Sequence, residues 1–219
     1  MEKSFITKAH NSTKRNYIER MMNEKVKCMK IAKKYSFDYW DGNRKFGYGG
    51  YKFIPGRWTP IAKKIIQEYK LNNQSKVLDL GCGKGYLLYE MKTILPGMKI
   101  VGYDYSKYAI KNSKKEIKKY LKVRDIRKKF NFRDNQFNLV ISMGTLHNFE
   151  LSDLFKTIKE INRIGKKKYI MVEAYRNDQE QFNLQCWALT CQTFLSKNQW
   201  VKLYKFLGYD GDFEFIYFK

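Results

Sequence analysis

Arginine, histidine and paired cysteine are scarce in this 219-residue chain, and no hydrophobic run in it is long. A membrane-spanning helix needs about 20 consecutive apolar residues, so membrane insertion is not expected. The opening Met1-Glu2-Lys3-Ser4-Phe5-Ile6-Thr7-Lys8 lacks the apolar core of a signal peptide, and a cytoplasmic location is the expectation. Cys28, Cys82, Cys186 and Cys191 form no Cys-x-x-Cys pair and have no histidine at ligand spacing. That excludes the usual sequence signs of a disulfide framework or a zinc site, and no metal is expected.

Acids are also few, 21 against 44 basic residues, which leaves a formal charge of +23. Such a chain can follow phosphates by electrostatics alone. Only nine of the basic residues are arginine, however, the side chain whose planar fork reads phosphates and base edges best. Abundant lysine beside Asn, Ile, Tyr and Phe is what an AT-rich coding sequence yields without selection for nucleic acid. The densest basic run, Lys107 to Lys129, is interleaved with Ile117, Tyr120, Leu121 and Val123, as on the wet face of helices packed against a sheet. Nucleic acid is therefore the less favoured partner and a small molecule the favoured one. With 43% hydrophobic and 16% aromatic residues, the chain can close one substantial core.

What is present begins at Lys76-Val77-Leu78-Asp79-Leu80-Gly81-Cys82-Gly83-Lys84-Gly85. A short apolar run ending near an acid, then three alternate glycines, then helix-forming Tyr86 to Met91 reads as a strand, a tight turn and a helix start. Glycine there lets a ligand approach the backbone, and the helix start offers unpaired N–H groups. The dinucleotide-binding fingerprint needs its third glycine three residues after the second; that position is Tyr86. The next strand, Lys99 to Tyr103, leads into Asp104, placed to accept hydrogen bonds from both hydroxyls of a ribose.

The pattern Asp-x-Gly-x-Gly-x-Gly resembles the first motif of class I S-adenosylmethionine (SAM)-dependent methyltransferases, and later segments follow that family's order. The resemblance implies SAM as cofactor and S-adenosylhomocysteine as product. It assigns cofactor contacts to Asp79, Gly81, Cys82, Gly83, Gly85, Asp104 and Tyr105, and adenine contacts to Asp125 and Ile126 after a third strand. It puts Met143, in the loop after strand Phe137 to Ser142, beneath the methionine moiety. Asn138 departs from the family, which usually carries Asp there. The aromatic, glycine-rich stretch Tyr35 to Gly56, read as an irregular lid around the motif Tyr48-Gly49-Gly50-Tyr51, together with Trp187-Ala188-Leu189-Thr190 and Gly208-Tyr209-Asp210-Gly211-Asp212, more loosely resembles small bacterial methyltransferases associated with surface-polysaccharide or sugar-modification gene sets.

Alternating strands and helices from Lys76 onward predict an α/β fold with a doubly wound, Rossmann-like, mostly parallel sheet. Residues 1–58 are expected to form an N-terminal helix, Asn16 to Lys34, and an aromatic, glycine-rich lid within the same domain; residues 59–219 form the core. The C-terminal edge reads as shortened. Only one strand, Phe213 to Phe218, is evident, and the family's second edge strand is either lost or hidden in Trp187 to Phe194.

Methyl transfer needs little beyond positioning of the nucleophile, with a base for an acceptor such as a sugar hydroxyl. His147, one of two histidines, and Glu173, at the end of the fifth strand, are the candidate bases; each has a structural alternative, His147 lining the pocket and Glu173 pairing with Arg176. Tyr48, Tyr51, Arg57, Trp58, Tyr175 and Arg176 are the candidate substrate contacts. The expected activity is methylation of O or N on a small polar metabolite, a sugar, nucleotide-sugar or similar. RNA methylation on the basic surface, and a non-catalytic SAM- or polyanion-binding subunit, are the alternatives.

Overall fold

The computed structural model describes residues 1–49 and 51–219, so Gly50 of the lid motif lies outside the described residues. Six strands form one wholly parallel sheet: β1 (Lys76–Leu80), β2 (Lys99–Asp104), β3 (Leu121–Val123), β4 (Phe137–Met143), β5 (Gly165–Glu173) and β6 (Asp212–Ile216), in the order β3-β2-β1-β4-β5-β6. Strand β1 has Val77, Leu78 and Leu80 fully buried, as expected of a strand covered on both faces. Alternation divides these side chains between two layers. Val77, Leu139 and Ile141 pack with α5 (Thr59–Glu68) and α6 (Tyr86–Ile94). Leu78, Val140 and Ile170 pack with α9 (Leu151–Ile164) and α11 (Lys197–Phe206). Helix α9 meets the sheet through Leu154, Ile158 and Ile161, the spacing of one helical face.

The strand order reverses between β1 and β4, and a crevice opens at such a switch point beyond the carboxyl ends of the strands. The shortened edge takes a simple form. β6 lies parallel to β5, with Glu173 opposite Ile216. The stretch Trp187 to Phe194 holds no strand: it is the end of α10 (Asp178–Trp187) and coil. The exposed side of β6 is instead covered by the chain's own start, where Lys3 N–H donates to Phe213 O at 2.8 Å and Phe213 N–H to Met1 O at 3.1 Å. Fully buried Glu214 accepts from the N–H groups of Phe5, Ile6 and Thr7 at 2.7–2.9 Å. That carboxylate takes up orphan donors at the start of α1 (Thr7–Asn11) and fixes where the N-terminal segment departs.

The segment then crosses the carboxyl ends of the strands. The single helix expected over Asn16 to Lys34 is two short ones, α2 (Tyr17–Met22) and α3 (Lys25–Ala32), broken at Glu24 with φ 44°. Ile18, Met22 and Val26, apolar residues whose near-helical spacing supports that single amphipathic helix, are 57%, 78% and 65% exposed. Cys28 and Ala32 are buried instead, beneath Tyr39 of α4 (Phe37–Trp40). The basic run from Lys107, read from the sequence as helical, forms two short helices, α7 (Lys107–Lys111) and α8 (Lys115–Lys118). No helix of the described residues is long and apolar enough to cross a membrane.

Candidate active site

A cavity of about 560 Å3 lies where β1, β2, β4 and β5 end, roofed by the N-terminal segment. This falls within the usual range of about 300–1,000 Å3 for small-molecule sites. Asp79, Gly81, Cys82, Gly83, Asp104, Tyr105, Asp125, Ile126 and Met143 all border it, so the structure brings nearly all the expected cofactor residues to one void.

Gly85 is the exception. It caps α6 at φ 74°, where an added Cβ would lie 2.7 and 2.8 Å from Leu121 and Ile117; it packs helix against sheet and faces no cavity. At Gly81 (φ 84°) a Cβ would fall 2.0 Å from Thr145 Oγ1, and at Gly83 (φ 56°) 2.9 Å from the Trp40 ring. The bare backbone of the turn thus admits the loop after β4 and the lid as neighbours, a use of glycine that the motif spacing does not reveal.

Asp104 Oδ2 accepts from Gly83 N–H and Oδ1 from Ser106 N–H, both at 2.8 Å. Each oxygen keeps acceptor capacity for a ribose hydroxyl. Burial raises its pKa against the pull of those two bonds. The Asp79 carboxylate makes no hydrogen bond among the described residues, and burial, assisted by the charge of Asp104, pushes its pKa to about 7. Asp125 is held by Arg127 through Nε and Nη2, each at 2.8 Å, which lowers its pKa.

On the far wall, His147 and Glu173 meet. Both are buried, and His147 Nε2 lies 3.5 Å from Glu173 Oε2. His147 Nδ1 accepts from the Glu173 N–H at 3.3 Å, which puts the ring proton on Nε2, facing the carboxylate. Burial lowers the imidazole pKa to about 3 and raises that of Glu173 to about 7, the latter against the opposing charges of Arg15 and Lys25. At neutral pH the imidazole is uncharged, its lone pair is occupied, and the carboxylate is the titrating group.

Tyr48, Tyr51 and Trp58 line the cavity as expected. The Tyr48 hydroxyl is committed to Leu189 N–H (2.7 Å) and Thr190 N–H (3.2 Å), and the Tyr51 hydroxyl donates to Tyr39 (2.9 Å). That leaves their rings, not their hydroxyls, to line the cavity. Three expected contacts fall elsewhere. Arg57 borders a separate depression beside Gly49; Tyr175 turns to Gln199 and bridges Ser196; Arg176 pairs with Glu180 and lies 4.2 Å over Tyr217. The expected alternative of a Glu173–Arg176 ion pair is thereby displaced.

Other wall residues escaped sequence reasoning: His10, Arg15, Tyr35, Trp40, Lys84 and Thr190. The lid is tied to the glycine turn. Lys84 Nζ donates to both oxygens of Asp41 at 2.6 and 2.8 Å, Tyr108 OH donates to Asp41 at 2.8 Å, and the Trp40 indole donates to Ser106 Oγ at 2.9 Å. Cutting this tie with Lys84→Met is expected to speed release of a bound nucleoside about tenfold, equivalent to about 1.4 kcal/mol; stopped-flow fluorescence of Trp40 would measure it, and an unchanged rate would show that the lid does not hold the ligand.

A family model described as a methyltransferase domain matches residues 71–211, and the chain belongs to that family. Demethylmenaquinone methyltransferase of Chlorobaculum tepidum is 31% identical over 114 residues, which cover 52% of this chain and 46% of that protein. The chain thus spans about half the length of the curated relatives it matches. The fold recurs in the YcgJ protein of Bacillus subtilis (TM-score 0.53, 16% identity, 67% of this chain and 66% of that one). It recurs again in a chain of the complex between the Haloferax volcanii Trm112 methyltransferase activator and a putative methyltransferase (TM-score 0.54, 23% identity, 67% and 66%).

Proposed function

We propose that this protein transfers a methyl group from SAM to an oxygen or nitrogen of a small polar metabolite. The observation that carries the reading is the meeting in one cavity of a nucleoside cradle, Asp79 and Asp104 around the glycine turn, with a buried carboxylate, Glu173, that titrates near neutrality. The residues fit the cofactor: Asp104 has lone pairs left for ribose hydroxyls, and Asp79 has no partner of its own to set against the ammonium of a methionine moiety. SAM, when bound, supplies a methyl group on a sulfonium, a leaving group so good that the protein's task is to position the acceptor and remove its proton.

That proton goes to Glu173 in this reading, and His147, uncharged and with Nδ1 engaged, orients the carboxylate. The tie through Lys84, Asp41 and Trp40 supports a small acceptor, because it holds a roof over the cavity. Calorimetry with S-adenosylhomocysteine, followed by transfer of labelled methyl into a low-mass fraction, tests the proposal. Label entering RNA, with binding that weakens steeply as salt rises, would overturn the choice of acceptor.

Affinity for S-adenosylhomocysteine should also depend on pH. Its ammonium binds the ionised form of Asp79, whose pKa in the free protein is about 7. Affinity is expected to rise with pH up to about 7 and then level off, and Asp79→Asn should abolish that rise. Titration calorimetry at pH 5.5, 7 and 8.5 reads both; a flat profile in the parent protein would remove Asp79 from the ligand.

A further inference from the structure

Five buried side-chain polar atoms among the described residues have no hydrogen-bond partner, and three of them, Arg15 Nε, Asn148 Oδ1 and Glu173 Oε2, belong to residues that line the cavity at the strand ends. The other two, the hydroxyls of Tyr204 and Tyr217, lie outside it. An unpaired buried polar atom costs about 1–3 kcal/mol, and more when charged, and three of them on residues that line the same cavity point to a ligand that draws on these side chains.

Their chemistry is uneven. Glu173, which ionises near neutrality, has a side chain only 9% exposed and lies 3.5 Å from an imidazole that stays neutral. The remaining nitrogens of Arg15 reach neutral acceptors alone: Nη1 meets Thr13 O at 2.9 Å, and Nη2 meets His10 Nδ1 at 3.1 Å and His10 O at 3.2 Å. His10 is itself uncharged, its pKa lowered to about 4 by burial and by Arg15. Arg15 and Glu173 feel one another's charge without forming an ion pair. A neutral hydroxyl could hydrogen-bond to either but would leave both charges uncompensated in a buried place. A molecule carrying an ammonium and a carboxylate compensates both.

We infer that the methyl acceptor is a small amphoteric amine, an amino-acid-like compound whose ammonium lies at Glu173 and Asn148 and whose anionic group lies at the Nε–H of Arg15. This deepens, and rests on, the methyl-transfer reading above, and it replaces the sugar-type acceptor with a nitrogen nucleophile. The proton balance closes on this chain's own groups. The ammonium passes one proton to the Glu173 carboxylate; the freed nitrogen lone pair forms the N–C bond as the C–S bond breaks with its electron pair left on sulfur; the product is a methylated ammonium, and Glu173 returns its proton to solvent.

The test supplies the full chain with labelled SAM and four probe sets: the proteinogenic amino acids, the amines made by decarboxylating them, the matching 2-hydroxy acids, and hexoses with their nucleoside-diphosphate conjugates. Label is expected in the amino-acid set at a rate at least tenfold above the other three. A comparable or faster rate in any other set overturns the inference, as does absence of label from the amino-acid set in a protein that binds S-adenosylhomocysteine by calorimetry. No heat with S-adenosylhomocysteine would instead sink the methyl-transfer reading, so the two failures are distinct. In Arg15→Met, preference for amino acids over their decarboxylated amines should shrink at least tenfold while S-adenosylhomocysteine affinity holds, and Arg15→Lys should restore part of it. Unchanged preference in Arg15→Met would remove Arg15 from acceptor recognition.

Discussion

Glu173→Gln is expected to slow methyl transfer by about 10²–10⁴-fold while leaving the affinity for S-adenosylhomocysteine close to that of the parent protein. Glutamine keeps the shape and an acceptor oxygen but cannot hold a proton at neutral pH. The carboxylate sits at the end of β5, across the cavity from Asp79 and Asp104, so a nucleoside bound on the β1–β2 side does not need it. The pH profile separates this role from a structural one. With the nucleoside bound, its ammonium holds Asp79 ionised, and an acceptor ammonium at Glu173 lowers that carboxylate's pKa in the same way, so kcat should rise on the ionisation of Glu173 alone, in a limb lying below the value of about 7 in the free protein. The free protein carries two carboxylates titrating near 7, Asp79 and Glu173, so kcat/KM should rise more steeply, through about 7. In Glu173→Gln the kcat limb should vanish. His147→Ala removes the ring that faces the carboxylate but no titrating base, and a smaller fall is expected; a loss as large as that of Glu173→Gln would return proton removal to the imidazole.

Residue type alone favours His147 over Glu173 as the base. An unperturbed imidazole has the right pKa for a base and an unperturbed carboxylate does not. Burial reverses the ranking, pushing the imidazole to about 3 and the carboxylate to about 7. Desolvation belongs to the fold and is invisible in a string of residues. The glycine turn and the second-strand acid were legible because their chemistry is local: the turn, the strand ends and the helix start occupy consecutive positions. Lid and edge were not. Arg15 reaches the cavity only because Glu214, some 200 residues away along the chain, fixes where α1 begins. Arg176 sits three residues beyond Glu173 yet faces away, drawn to Glu180 one helical turn on. The helix expected from the spacing of Ile18, Met22 and Val26 failed for a similar reason: the apolar residues follow the period, but the break at Glu24 and the partner surface beneath Cys28 and Ala32 override it.

Asp104→Ala should weaken binding of S-adenosylhomocysteine by about 1.5–3 kcal/mol, or roughly 10- to 150-fold, through loss of hydrogen bonds to a charged acceptor. Two consequences follow from the same carboxylate. It orders the turn by accepting from Gly83 N–H, which also seats the Trp40 ring over Gly83, so the variant should loosen lid and cradle together and show a faster release as well as a weaker equilibrium. Asp104→Asn retains one acceptor oxygen and should bind at an intermediate strength, since that oxygen can still take one backbone N–H and one ribose hydroxyl, whereas the amide nitrogen cannot accept at the other position and the charge is lost. The chain should stay folded in both variants. The carboxylate is held at a desolvation cost, seen in its raised pKa, and removing it relieves that cost while leaving the N–H groups of Gly83 and Ser106 beside the space it vacates. Equal affinity in all three proteins would mean that the ribose lies elsewhere and that Asp104 serves only the turn.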